Sequence, residues 1–368
     1  MAEITLCGMT WQHRRAVDPL AATLPAFRAR HPDVDVVWDA RPLHGFEFAP
    51  VDELARRYDL IVLDHPFAGE IAASGCLLPL DDLLAGQDDA FVGPSLASYR
   101  YDGQVWALPI DAACQVAAYR PDLLDALGEP VPQTWGAGLE LGARAVRSGL
   151  KLATAFAGVH GLMTFFTLCA NLGRPCATEP DQPLVDPQAA RQALEAMRRL
   201  LALCPLEALA WNSIALHEAM VAQDDLVYCP AVYGYATYAE DDLRRPLRFA
   251  DLPGLGISAA TQHPDAARAY AAFLADPTTQ REFAQHHGQP ARVEAWNDRA
   301  IDRRFGGCFS ATRASIEQAW TRPRYPGYLR FQAKAGALVE AHLRGEVSEG
   351  ALIGALDDLH AARGGGDA

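Results

Sequence analysis

Several short stretches of this sequence end apolar runs in side chains suited to holding a small polar molecule. Trp11-Gln12-His13-Arg14 follows the β-favouring run Glu3 to Met9, and Arg41 follows a second such run, Val34 to Trp38. Arg14 or its neighbour Arg15, and likewise Arg41, could form a two-pronged pair with a carboxylate. Asp64-His65-Pro66 ends Leu60 to Leu63, where Asp64 could accept from ligand hydroxyls or amines, or only cap the turn. Asp111 stands just past Leu108-Pro109-Ile110, and Tyr233 and Tyr235 follow Leu226 to Pro230. Flat aromatic faces suit the apolar side of a sugar ring, and planar polar groups suit its hydroxyls. Each candidate has a plainer alternative: a surface arginine with no specific partner, or a tyrosine-rich loop that only packs. For Trp106, inside a β-favouring run, core packing is the better account.

For covalent chemistry the candidate is Cys114, with Asp111 close in sequence and Glu240 or Asp241 available as a carboxylate base. A nucleophilic thiol needs a base or a positive field to become a thiolate. Its neighbours Ala112, Ala113, Val116 and Ala117 are apolar instead, the setting of a neutral buried thiol. No metal site is expected, because His286 and His287 are adjacent and no HExxH or CxxC spacing occurs. No G-x-S-x-G elbow, P-loop or complete G-x-G-x-x-G is present, so no cofactor is expected either.

These residues need a scaffold that gathers strand ends. The opening reads as strand, helix, strand, with Asp18 as helix N-cap and Pro19 at the first helical position, which implies a parallel sheet. In open α/β sheets ligands gather beyond the carboxyl ends of strands, where Trp11 to Arg14, Arg41 and Asp64-His65 would all lie. Further on, strands are expected at Leu152 to Phe156, Leu226 to Pro230 and Leu255 to Ala259. Helices are expected from Asp186-Pro187, from a cap at Ser213, and from Pro264. Val105 to Tyr119 reads as two apolar segments broken once at Pro109, as a chain crossing between two lobes would be.

With 368 residues the chain exceeds one typical core. Its 50% hydrophobic and 21% charged residues are ordinary for a soluble globular protein. A net charge of -14 argues against nucleic acid and anionic membrane surfaces as partners. No run approaches the roughly 20 apolar residues of a membrane span, so membrane insertion is not expected. The start lacks a basic n-region and an apolar h-region. The eight cysteines are scattered without paired spacing, like reduced core residues. Both features point to the cytoplasm, or to the periplasm if a leader has been removed.

Several phrases, in order, resemble the family 1, maltodextrin-type solute-binding proteins of ABC importers. They include Phe27 to Val36, Gly75 to Leu84, Val105 to Ile110, Ala118 to Leu124, Val131 to Trp135, Leu255 to Leu274, Gly288 to Arg292 and Arg322 to Tyr328. The resemblance implies an α/β, two-lobed, type II periplasmic-binding-protein-like fold with a hinge and a central ligand cleft. By position it implies an N-terminal lobe of 1–110 plus 252–305 and a C-terminal lobe of 111–251 plus 306–362, while composition alone makes 363–368 a disordered tail. Crossings would fall near Ile110 to Ala113, Phe249 to Gly256 and Phe305 to Thr312. It also implies a small-molecule ligand, an importer permease as partner if the protein is exported, and a monomer. The ligand-binding candidates are Trp11, His13, Arg14, Arg41, Asp64, His65, Asp111, Tyr233 and Tyr235. The alternative is a thiaminase-like enzyme on the same fold, with Cys114 as nucleophile and Glu240 or Asp241 as base.

Overall fold

Strand β1 (Ile4–Trp11) is the axis of the first sheet. It pairs in parallel with β2 (Val34–Arg41) and β3 (Leu60–Leu63), and β9 (Gly254–Ile257) runs antiparallel to β3, giving the order β2-β1-β3-β9. All four residues of β3 are buried, as an inner strand covered on both faces requires. This computed structural model describes residues 3–43, 49–84, 86–178, 182–240, 243–248 and 254–362. It separates into two units, Met1–Ala113 with Asp251–Pro326 and Cys114–Ala250 with Gly327–Ala368. Phe305 to Thr312, expected as the third crossing, lies inside the first unit, and the expected tail at 363–368 lies outside the described residues.

In the first unit the helix after β1 starts earlier than the sequence suggests. It spans Arg14–Arg30, and His13, not Asp18, is its N-cap. Proline at 19 and again at 25 sits within it, because a proline fits helical φ and only removes one donor and crowds one carbonyl. Asp18 instead accepts from His287 Nδ1 at 2.7 Å. The buried face of this helix carries Ala16, Leu20, Leu24 and Phe27 at helical spacing, and Phe27 meets Tyr270 edge-on at 4.8 Å. Strands β4 (Arg100–Tyr101) and β5 (Gln104–Val105) form a hairpin. Its turn places Asp102 and Gly103 at φ 50° and 77°, left-handed values that Asp-Gly tolerates well.

The second unit has a sheet of order β6-β8-β7, with β6 (Gln115–Tyr119) antiparallel and β7 (Lys151–Leu152) parallel to β8 (Leu226–Tyr233). The strand expected through Phe156 stops early. Past Ala153 the backbone turns to other partners, with Phe156 N–H donating to the Ala208 carbonyl and Ala157 N–H to that of Trp211. Helix Pro187–Leu201 begins as expected, Asp186 accepting from the Gln188 and Ala189 N–H groups. Helix Ser213–Ala222 is capped one residue earlier than expected, by Asn212. Arg120, 1% exposed, binds the Asp122 carboxylate and donates to the Met220 and Gln223 carbonyls, tying the end of β6 to the end of that helix. Among the described residues no helix is long and apolar enough to cross a membrane.

Candidate functional site

Parallel register brings the strand ends of the first unit side by side. Trp11 stands opposite Arg41, and the last β1–β3 pair is Met9 with Ile61. Arg14 and Arg15, just past β1, therefore sit in the first helical turn, not in a loop. His13 Nδ1 accepts from the Arg15 N–H at 3.1 Å, so the ring is neutral and carries its proton on Nε2. Burial, then the charges of Arg15, Arg14 and His287, push this imidazole down to about 3.

Arg15 points inward. Its Nε and Nη2 donate to the two oxygens of Asp111 at 3.0 and 2.7 Å, with 2% and 5% of the two side chains exposed. Burial and neighbouring Asp64 push the Asp111 carboxyl up while the Arg15 guanidinium pulls it down, and both its oxygens accept from Arg15 as those of a carboxylate do. Gln280 Nε2 donates to the Ile110 carbonyl, and Gln289 exchanges bonds with the backbone of Ala112. The stretch Ile110–Ala112 is thus held by three side chains. A small pocket beside it is lined by Thr10, Trp11, Arg15, Asp111 and Gln289, among others.

The end of β3 is built in the same way. Asp64 accepts from Arg322 Nη2 at 3.1 Å. Tyr99 donates its hydroxyl to the Leu63 carbonyl and meets the His65 ring edge-on. Arg324 donates to the carbonyls of Ala97, Ser98 and Arg100, which fixes the segment beside His65. Gly69 permits the approach, since a Cβ there would lie 1.8 Å from the Arg324 oxygen. Burial pushes His65 well below its usual range, and Arg322 and Arg324 add to this. Arg41 lies over the Tyr58 ring and near Asp39, which accepts from the Tyr58 hydroxyl.

In the second unit Tyr233 ends β8, half-buried, and Tyr235 caps a short helical turn, 7% exposed. His217 stacks on Tyr238 at 5.0 Å and lies 5.5 Å from Tyr235. Tyr238 donates to Glu218 at 2.5 Å, and Ser213 Oγ lies 3.2 Å from His160 Nδ1. Cys114 is half-buried just before β6 and Glu240 is 2% exposed; Asp241 lies outside the described residues.

The first unit therefore gathers Trp11, His13, Arg14, Arg41, Asp64, His65 and Asp111 at one end of its sheet, while Tyr233 and Tyr235 belong to the second unit. Thr10, Gln289 and Arg322 were not singled out from sequence. Only the phrases Gly288 to Arg292 and Arg322 to Tyr328 hinted at the last two. Among the described residues no group of three or more His, Cys, Asp or Glu is placed to hold a metal ion.

Residues 53–295 match the family described as bacterial extracellular solute-binding protein. The maltose-bound MalE3 of T. maritima is 18% identical over 97% of this chain and 99% of its own, with a TM-score of 0.82. A solute-binding protein of Agrobacterium radiobacter in complex with ribitol is 19% identical over 98% of each chain, at 0.78. UgpB of Mycobacterium tuberculosis in complex with glycerophosphocholine is 18% identical over 98% of each, at 0.74. The fold is that of two-lobed α/β periplasmic binding proteins. The match gives no support to a Cys114 nucleophile.

Proposed function

The chain belongs to the family of bacterial extracellular solute-binding proteins, and from that premise we propose that it binds a small hydroxyl-rich solute, a sugar or polyol. The observation that carries this to particular residues is a pair of buried polar atoms at the strand ends of the first unit. Thr10 Oγ1 and His65 Nε2 have no hydrogen-bond partner there. Leaving such an atom unsatisfied costs about 1–3 kcal/mol, a cost that a ligand hydroxyl set against it removes. Around them we assign Trp11, His13, Arg14, Arg41, Asp64 and His65 to the solute. Asp111 acts through Arg15, since both its oxygens are engaged. In the second unit Tyr233 and Tyr235 offer ring faces. The maltose and ribitol held by two similar proteins are both hydroxyl-rich, which supports the ligand class.

In this role the protein works as a monomer outside the cytoplasmic membrane and hands its solute to an ABC importer permease. The family's extracellular setting supports that location over the cytoplasmic expectation drawn from the residues. Fractionation of the native cell, with the protein confined to the cytoplasm, would overturn it. For the ligand, a thermal-shift screen over maltose, ribitol, mannitol and related solutes is the direct test. At a hundredfold excess over Kd, binding adds about 2.7 kcal/mol, a clear rise in Tm. No stabilisation by any of them at millimolar concentration sinks the proposal.

A further inference from the structure

The carboxylates of Asp111 and Asp64, both in the first unit, are held differently. Asp111 gives both oxygens to Arg15. Asp64 gives one, its Oδ2 accepting from Arg322 Nη2 at 3.1 Å. The plainer role for Asp64, capping the turn His65–Phe67 that follows it, is not filled, because its side chain takes no N–H of that turn. With 23% of the side chain exposed, Oδ1 stays open to an incoming group. Arg322, whose side chain is 9% exposed, reaches Asp64 from a fixed base. Two residues on, Arg324 Nη1 donates to the carbonyls of Ala97, Ser98 and Arg100. The Arg324 carbonyl itself fills the space where a Cβ on Gly69 would stand.

We propose that Arg322 is a positioning residue for the solute: it holds Asp64 through one oxygen and so fixes the other as an acceptor for a solute hydroxyl. The inference rests on the reading above, in which Asp64 meets the solute. A carboxylate held by both oxygens, as in Asp111, has little left to offer a ligand. One held by neither turns freely and must give up that freedom on binding, which weakens affinity. The single-pronged pair avoids both faults. An ionised carboxylate only accepts, so the solute group set against Oδ1 is a donor, a hydroxyl and not a second carboxylate.

Calorimetric titration of the full chain with maltose, ribitol and mannitol tests this, with urea unfolding of each variant to show that it folds. Arg322→Met keeps an apolar stem and removes every donor. It is expected to weaken the binding of a solute about tenfold, the worth of one charge-assisted hydrogen bond. Arg322→Lys keeps a cation able to reach one oxygen and should restore most of that affinity. In an Asp64→Ala background Arg322→Met should change the affinity less than about twofold, because the group it positions is gone. A general loosening of the fold would cost the same in both backgrounds. Unchanged affinity in Arg322→Met, or an equal loss with and without Asp64, overturns the inference and leaves solute binding standing. Binding of none of the three solutes to the unaltered chain overturns the reading itself, and the inference falls with it.

Discussion

In the first unit two ion pairs, Arg15 with Asp111 and Arg322 with Asp64, stand beside the strand ends. Around Tyr238 in the second unit the contacts are instead of rings and hydroxyls: His217 against Tyr238, Tyr238 on Glu218, Ser213 beside His160. The pairs join segments far apart in sequence and fix the backbone that carries the candidate binding groups. The rings supply shape and flat faces with little buried charge. Removing one partner should therefore cost more at the Arg15–Asp111 pair than at Tyr238.

The largest effect is expected at Asp111. Asp111→Ala leaves the Arg15 guanidinium buried without its carboxylate, a loss of about 3–5 kcal/mol by analogy with broken buried pairs. Urea unfolding measures it directly. Replacing both partners with apolar residues, Arg15→Met with Asp111→Leu, should recover most of the loss. A cost under about 1 kcal/mol for Asp111→Ala would mean that the pair does not anchor Ile110–Ala112. Tyr238→Phe is the matching probe in the second unit. It keeps the ring stack and removes one hydrogen bond to a carboxylate, so about 1.5–3 kcal/mol is expected in the same assay. A larger loss there than at Asp111 would reverse the contrast.

Acid should act through the first unit. His13 titrates near 3 in the folded chain and near 6.5 unfolded, so its contribution is full above pH 6.5 and is lost as pH falls towards 3. His65 shifts in the same direction. At pH 5 the linkage for His13 is at most about 2 kcal/mol, less where water reaches the half-buried ring. His13→Asn keeps an N-cap acceptor and removes the titration. It should flatten the fall in Tm between pH 7 and pH 5, and an unchanged slope would assign the acid sensitivity elsewhere.

How much of this was legible in the sequence depended on whether the cause was local. The runs Glu3 to Met9, Val34 to Trp38 and Leu60 to Leu63 could be read as strands from their apolar residues, although the first two continue to Trp11 and Arg41. The Asp186-Pro187 helix start could be read because cap and proline act on their own turn. Asp18-Pro19 has the same local signature and misled, since proline is also tolerated within a helix whose cap lies further back at His13. Partner choice was not legible. Arg14 and Arg15 looked equivalent until helical phase turned Arg15 inward to a carboxylate 96 positions away.

The smallest expected effect makes the finest comparison, because each unit has a fully buried threonine whose hydroxyl lacks a partner. These are Thr10 in the first unit and Thr154 in the second. Valine has nearly the same shape, so Thr10→Val and Thr154→Val each remove an unsatisfied hydroxyl and should each gain about 1 kcal/mol in urea unfolding. The two should part company when a solute is added. Thr10 lines the pocket beside Arg15 and Asp111, so Thr10→Val should lose part of the solute-induced rise in Tm while Thr154→Val keeps it. If both variants keep the full rise, Thr10 is a buried hydroxyl with no ligand to serve, and the solute is held by the charged and aromatic groups alone. If Thr10→Val instead loses stability without any solute, its hydroxyl has a partner in the unliganded protein, and the pocket is a structural element of the first unit.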